Sequence, residues 1–424
     1  MIGKAAQKPY TLCQIQHLPG RYQSDMIEQA QVFDTVVAGG GPTGLVAAIL
    51  LAQDGVRTAL VTDTSVEPDA RTVALMQPAM RLLEHIGLWP ERFAGLAQPL
   101  RKLVLVDDTG DFFSASRIVF SADELALDAF GWNIPLESLC AALTRRCEES
   151  GSFLIRGKII DLSVTEEQVI LLLEDRSTLA AKIILAADGR DSAIRRAAGI
   201  GSRAWDYDQH AIAASFAHSV SHEDTSTEYL RFGGPLTTIP LKGKRSALVW
   251  MERPARTSAL MALDELNFAR ELQAAIHGEL GRVGDIGPRS AFPMRGLMAS
   301  ELGSRRVVLI GEAAHLMPPI GAQGLNISLT DAATAAECIA NARSLGRDVG
   351  GEEVIRSYRD LRAVDISLRQ AAVHSLNRSL LADFLPFNLA RSAGSELLAQ
   401  ISPLRKFIMQ RGLEPVFHLP RAMR

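Results

Sequence analysis

The segment FDTVVAGGGPTGLVAAILLA, residues 33–52, decides the fold. Asp34 to Ala38 is a short run with β-branched residues suited to a buried strand, and Gly39-Gly40-Gly41-Pro42-Thr43-Gly44 turns it into a helix rich in Ala and Leu. Strand, glycine loop and helix in that order make a dinucleotide-binding turn. Gly39 permits the tight turn, Gly41 lets the backbone approach a diphosphate, and Gly44 lets the helix pack closely on the sheet. Unpaired N–H groups and a partial positive charge at the helix N-terminus bind the diphosphate without a lysine. Taken alone, the motif serves FAD and NAD equally.

Beyond the helix, Asp54-Gly55 closes a turn and Val56 to Val61 reads as a second parallel strand. An acid about 20 residues past such a loop holds a ribose hydroxyl, and Asp63, beside Thr62, stands in that place. Glu67 and Asp69 nearby make a solvated turn carboxylate the competing reading. Arg71 opens a stretch leading into a helix through Leu82, Leu83 and Ile86, and is placed either to reach a cofactor phosphate or to face solvent. Lys102 to Asp107 and Gly110 to Phe113 read as a hairpin around Asp108-Thr109, and Leu136 to Glu149 as an amphipathic helix.

Three further strands, Ile159 to Val164, Val169 to Leu173 and Lys182 to Ala186, end in Asp188-Gly189. A carboxylate and a glycine at the carboxyl end of a strand sit where open α/β sheets bind ligands, although Asp-Gly is also a common turn. From Gly201 the pattern becomes antiparallel: Ala211 to Ala217, Glu228 to Phe232, Thr237 to Leu241 and Ser246 to Trp250, with Leu263 to Ile276 a helix across them. Arg306 to Ile310 is again a buried strand, and Gly311-Glu312 leads through Pro318 to Asn326 into a helix carrying Asp331. A dehydrogenase with one dinucleotide site has no need of this second strand, glycine loop and helix.

A chain of 424 residues implies two or three substructures, and 47% hydrophobic with 22% charged residues describes a globular protein. The net charge of −3 gives no reason to propose nucleic acid as a partner. Cys13, Cys140, Cys147 and Cys338 lack zinc spacing and follow no secretory signal, so reduced thiols in a cytoplasmic protein are expected. The longest apolar run, Leu45 to Ala52, falls well below the roughly 18 residues of a spanning helix. Residues 1–31 read as a disordered leader, with Met26 an alternative start.

Together these residues resemble the FAD-dependent aromatic hydroxylases of the para-hydroxybenzoate hydroxylase type, most closely their ubiquinone-biosynthesis branch. The resemblance runs from Phe33 to Gly412. It implies that Gly39 to Gly44 is the FAD diphosphate loop, that Asp188-Gly189 serves FAD and NAD(P)H, and that Gly311-Glu312 binds the ribityl chain. Pro319, Gln323, Gly324, Leu325 and Asn326 fall in the branch signature that faces the isoalloxazine. Glu312 replaces the family's usual Asp, Pro318 a His and Ser328 a Gly, and Gly321-Ala322 inverts the usual Ala-Gly. Thr62 takes the usual Glu position, and Leu136-Glu137 stand where relatives often carry Asn-Arg.

The implied architecture is α/β: a discontinuous FAD-binding domain over 32–200 and 288–372, an antiparallel substrate domain over 201–287 with 100–130 contributing, and a helical segment over 373–424. The implied activity is hydroxylation of an aromatic ring with NAD(P)H and dioxygen, on a polyprenylphenol of ubiquinone biosynthesis. The alternatives are a hydroxylase of a soluble aromatic compound and a turnover-deficient flavoprotein that scaffolds a biosynthetic complex; a homo-oligomer or a biosynthetic complex is the expected assembly. No residue reads as an obligatory base, and His315, directly after a buried strand, reads as a hydrogen-bonded structural histidine. In the C-terminal segment Leu397, Ile401, Leu404 and Ile408 recur at near-helical spacing, and seven basic residues face three acids. Such a stripe either rests on the inner face of a membrane or packs on the protein.

Overall fold

The computed structural model describes residues 30–63, 71–109, 117–381, 402–414 and 418–424. Most of the expected leader lies outside them, but Gln31 is the first residue of the strand Gln31–Ala38. That strand is central in an eight-stranded sheet, parallel to Thr58–Thr62 on one side and Thr178–Ala186 on the other. Phe153–Arg156 and Val307–Leu309 extend the parallel layer outward. Thr178–Ala186 also pairs, through its first half, antiparallel to Val169–Leu173.

The helix Pro42–Gln53 is buried without interruption from Gly44 to Leu51, which its sequence demands because it has no polar face. The sheet covers one side and the helix Gln323–Ser344 packs on it from another. Alanines at 47, 48, 332, 333, 335 and 336, all buried, keep both helices slim enough for close approach. Each fully buried Leu or Ile in this layer contributes roughly 1.5–3 kcal/mol.

A nine-stranded sheet forms the second unit, built around the long strand Ser202–His218, which pairs antiparallel with Arg245–Glu252 and Ser290–Ala299. One correction to the sequence reading follows. The partner of Lys102–Asp107 is Arg117–Ser121 rather than Gly110 to Phe113, which lies outside the described residues, and the pair joins this sheet beside Thr225–Leu230. The sheet also continues past residue 287 through Ser290–Ala299, a stretch expected in the FAD-binding unit. Helices Pro254–Met261 and Glu265–Ala275 flank the sheet, and Phe216, Tyr229, Leu248 and Trp250 pack with Leu260, Phe268 and Leu272 from them. The opposite face packs on the parallel unit through Tyr207, Ala211, Met251 and Met294, and since Tyr229 lies among the helices, alternation along Thr225–Leu230 puts Glu228 on that face.

The helix Glu352–Leu381 ties the two units together. Gln370 Nε2 donates to the carbonyls of Leu297 and Leu316, Tyr207 bonds His374 at 2.9 Å, and Asn377 donates to Gln209. The helix Ser402–Leu413 appears where Ser402-Pro403 and Gly412 place it. Arg405 pairs with Glu124 at 2.8 Å, and Met409 packs with Met76, Leu100 and Phe120. One side of this helix therefore packs on the protein. Leu397, Ile401 and the side chains of Leu404 and Ile408 lie outside the described residues.

Candidate functional site

Three separated turns meet at the carboxyl end of the parallel sheet. A Cβ on Gly39, whose φ is +118°, would lie 2.2 Å from the carbonyl oxygen of Ala187, so the first glycine loop rests directly on the turn that carries Asp188 and Gly189. A Cβ on Gly44 would fall 1.9 Å from the Gly39 carbonyl oxygen. Gly41 differs from both: its φ is −74°, and no atom lies within 4 Å of the position a Cβ would take. Gly40, which the sequence reading passed over, is required by Thr62, whose Oγ1 would be 2.1 Å from a Cβ there. Gly311, at φ +63°, sits between Thr43 of the first loop and Ser328 of the second helix, 3.1 and 3.3 Å from a notional Cβ.

Asp188 accepts the Ile194 N–H at Oδ2, 3.1 Å away, while its buried Oδ1 has no hydrogen-bond partner among the described residues. Arg195, in the short helix after Gly189, donates to the Ala313 carbonyl at 2.7 Å and so joins the second motif to the third. Glu312 is exposed beside it. Asp63 is exposed just past the strand Thr58–Thr62. Arg71 is exposed too, with its guanidinium 5.9 Å from the centre of the Phe292 ring, and its carbonyl accepts the Leu136 N–H.

The helix Gln323–Ser344 starts from Ala322 in the left-handed region, with no side-chain cap and no acid in its first turn, and the helix Pro42–Gln53 is equally uncapped. Both present bare positive ends to this region. Before the helix, Pro319 and Gly321 are exposed, and Gly324 and Leu325 at its start are half-buried. The Asn326 amide accepts the Met76 N–H at 2.9 Å and donates to the Ala74 carbonyl at 2.8 Å, as a paired strand would. Gln323 accepts from Arg369 at 2.6 Å. The side chains of Asn326 and Gln323 thus bond to protein, and both act by fixing the loop.

Beneath the loop runs a buried ionic chain. His315 Nε2 donates to Asp331 Oδ2 at 2.6 Å, the Gly311 N–H donates to the same oxygen at 3.1 Å, and Arg362 donates to Oδ1 at 2.8 Å. Arg362 continues to Asp365, and Asp365 to Arg369. Burial alone would raise the pKa of Asp331, but His315 and Arg362 outweigh it and hold the carboxyl below its ordinary range. His315 is therefore a bonded core residue, as the strand before it implies.

Glu228 is the residue that sequence reasoning missed. It is only 9% exposed and faces the loop from the substrate sheet, where the Gly321 N–H donates to it. Burial pushes its carboxyl up to about 7, and the single N–H offsets little of that. It lies in an ordinary alternating strand, so no motif marks it.

With this geometry in view, comparison with known proteins gives one answer. The family model described as "FAD binding domain" matches residues 32–364. A ubiquinone hydroxylase, UbiL, from Rhodospirillum rubrum is 32% identical over 90% of each chain. The 3-demethoxyubiquinol 3-hydroxylase of Escherichia coli is 27% identical over 86% of this chain and 94% of its own. The crystal structure of p-nitrophenol 4-monooxygenase PnpA from Pseudomonas putida superposes with a TM-score of 0.75 over 92% of this chain and 100% of that one, at 18% identity, and so shares the fold. The chain belongs to the family of FAD-dependent aromatic hydroxylases, in the branch that contains the ubiquinone hydroxylases.

Proposed function

We propose that this chain hydroxylates the ring of a polyprenylphenol in ubiquinone biosynthesis, with NAD(P)H and dioxygen as co-substrates. The observation that carries the reading is the meeting of three motifs, at Gly39, Asp188 and Gly311, opposite an antiparallel sheet. Two features of the chain fit FAD: the open position over Gly41, and the unpartnered Oδ1 of Asp188, whose turn lies against Gly39. FAD, when bound, supplies the redox chemistry and the activation of oxygen. In this reading Gly41 and the first helix N-terminus take the diphosphate, with Arg71 near a phosphate and Asp63 near the adenosine ribose. Gly311, Glu312, Asp188 and Gly189 hold the ribityl region. Pro319, Gly324 and Leu325 line the isoalloxazine, on a loop fixed by Gln323 and Asn326. The remaining task is to hold the phenol against the ring system and exclude water. The names of the two ubiquinone-pathway relatives support a prenylated substrate over a small soluble phenol. FAD-loaded protein should oxidise NAD(P)H faster with a short-chain polyprenylphenol than with the unprenylated ring, and a preference for the latter would make a soluble aromatic the substrate.

A prenylated substrate resides in lipid, and the C-terminal helix offers a surface for it. Lys406, Phe407 and Arg411 are exposed on this helix among the described residues, with the Arg411 guanidinium 5.3 Å from the centre of the Phe407 ring. Among the described residues no helix is long and apolar enough to cross a membrane, so contact would be peripheral. Basic residues near anionic lipid are worth about 1 kcal/mol each. Lys406→Glu combined with Phe407→Glu spares Arg405 and Met409, and should lower sedimentation with anionic vesicles at least about tenfold. Unchanged sedimentation, or no binding by the parent protein, removes the membrane role.

A further inference from the structure

We propose that Glu228 takes the proton from the phenol hydroxyl of the substrate as the ring is hydroxylated. The inference rests on the reading of this site as a phenol hydroxylase and adds the residue that activates the ring. Thr225–Leu230 is an interior strand, and its alternation sends Tyr229 into the core with Phe268 and Leu272 while Glu228 faces the loops. The cross-strand neighbours of Glu228 are Leu105 and Thr237, and Val249 lies opposite Thr237. Leu105 and Ala322, which follows Gly321, pack against the same cluster, so this row of the sheet lies on the side of the loop.

A carboxylate in such a row needs partners, and the Gly321 N–H is its one hydrogen-bond donor among the described residues. No cation among them pairs with it. One hydrogen bond leaves an ionised carboxylate under-satisfied in an apolar wall, and a phenol O–H is the donor the proposed substrate brings. The transfer balances: the phenol O–H bond breaks, a carboxyl O–H forms, and the negative charge moves to the ring oxygen. The pocket keeps one negative charge throughout. The electron-rich phenolate is the better acceptor of oxygen. When the hydroxylated ring regains aromaticity, its C–H proton leaves to water and the Glu228 proton returns to the phenol oxygen. Burial has already raised the carboxyl to about 7, closer to a phenol than an ordinary glutamate.

Glu228→Gln keeps an acceptor for Gly321 and removes the base. Holoenzyme carrying it should retain FAD and thermal stability, yet lose about 100-fold in kcat/KM for hydroxylation near pH 7.5. In the parent, kcat/KM should rise with pH through about 7, and the variant should lack that limb. Fluorinated phenols, which ionise more readily, should restore much of the variant's rate. Without turnover, oxidised holoenzyme mixed with a fluorophenol below the phenol's own ionisation should develop phenolate absorbance in the parent and none in the variant. A variant with parental kcat/KM, the same pH limb and the same absorbance overturns the assignment while leaving the hydroxylase reading intact. A parent protein that hydroxylates no phenol overturns the reading itself.

Discussion

Gly41→Val should purify folded and almost free of flavin. The backbone at Gly41 has φ −74° and ψ 172°, which valine adopts readily, and nothing lies within 4 Å of the new Cβ, so the fold has no reason to suffer. The side chain instead stands at the N-terminus of the helix Pro42–Gln53, in the space a diphosphate must enter to meet the backbone N–H groups. FAD affinity should fall at least about 100-fold, or roughly 2.7 kcal/mol. Gly44→Val makes the informative contrast: its Cβ would lie 1.9 Å from the Gly39 carbonyl oxygen, so that variant should fail to fold. Flavin absorbance per protein, with far-ultraviolet circular dichroism as the control, decides the matter. A folded Gly41→Val with parental flavin content would remove the cofactor from this loop.

Replacing Asp331 should be among the most destabilising single changes in the chain. Arg362 is fully buried, and Asp331 bonds it together with His315 and the Gly311 N–H, so Asp331→Ala leaves a buried cation with Asp365 as its remaining ion pair. Breaking a buried pair in this way costs about 3–5 kcal/mol, measurable by urea unfolding of the apoprotein. Asp331→Asn keeps hydrogen-bonding capacity and loses only the charge, and serves if the alanine variant does not fold. The pH dependence has a definite sign. The folded-state pKa of Asp331 lies below its unfolded value, so its stabilisation is complete above the ordinary carboxylate range and is lost as pH falls through the folded value. The gap between parent and Asp331→Asn should hold near neutrality and close in strong acid. A gap that widens on acidification would contradict the assignment.

The parallel unit was legible because its signals are local. Pro42–Gln53 is an unbroken apolar helix behind three glycines, and Leu136–Glu149 carries helical periodicity from end to end, so both were read within a residue or two. The long strand Ser202–His218 was read only over Ala211 to Ala217, because its first half carries Arg203, Asp206 and Asp208 and breaks register between Asp206 and His210. Such residues look like loop in sequence, and pairing with Ser290–Ala299 makes them strand. The same limit applies to the site. Asp188, Gly311 and Glu312 stand in motifs, whereas Arg362 and Asp365 look like a solvated charged face of the helix Glu352–Leu381 until its packing on Asp331 buries them. Glu228 carries no local mark at all, since its environment comes from Gly321, 93 positions away in the chain.

The most direct test of the account is the mass of the product formed from a short-chain polyprenylphenol by FAD-loaded protein, NAD(P)H and isotopically heavy dioxygen. The site as described predicts one added oxygen atom on the ring, carrying the heavy label, with formation dependent on both the phenol and the reduced nicotinamide. A product with unlabelled oxygen, or nicotinamide oxidation that yields only peroxide with every phenol supplied, would contradict it.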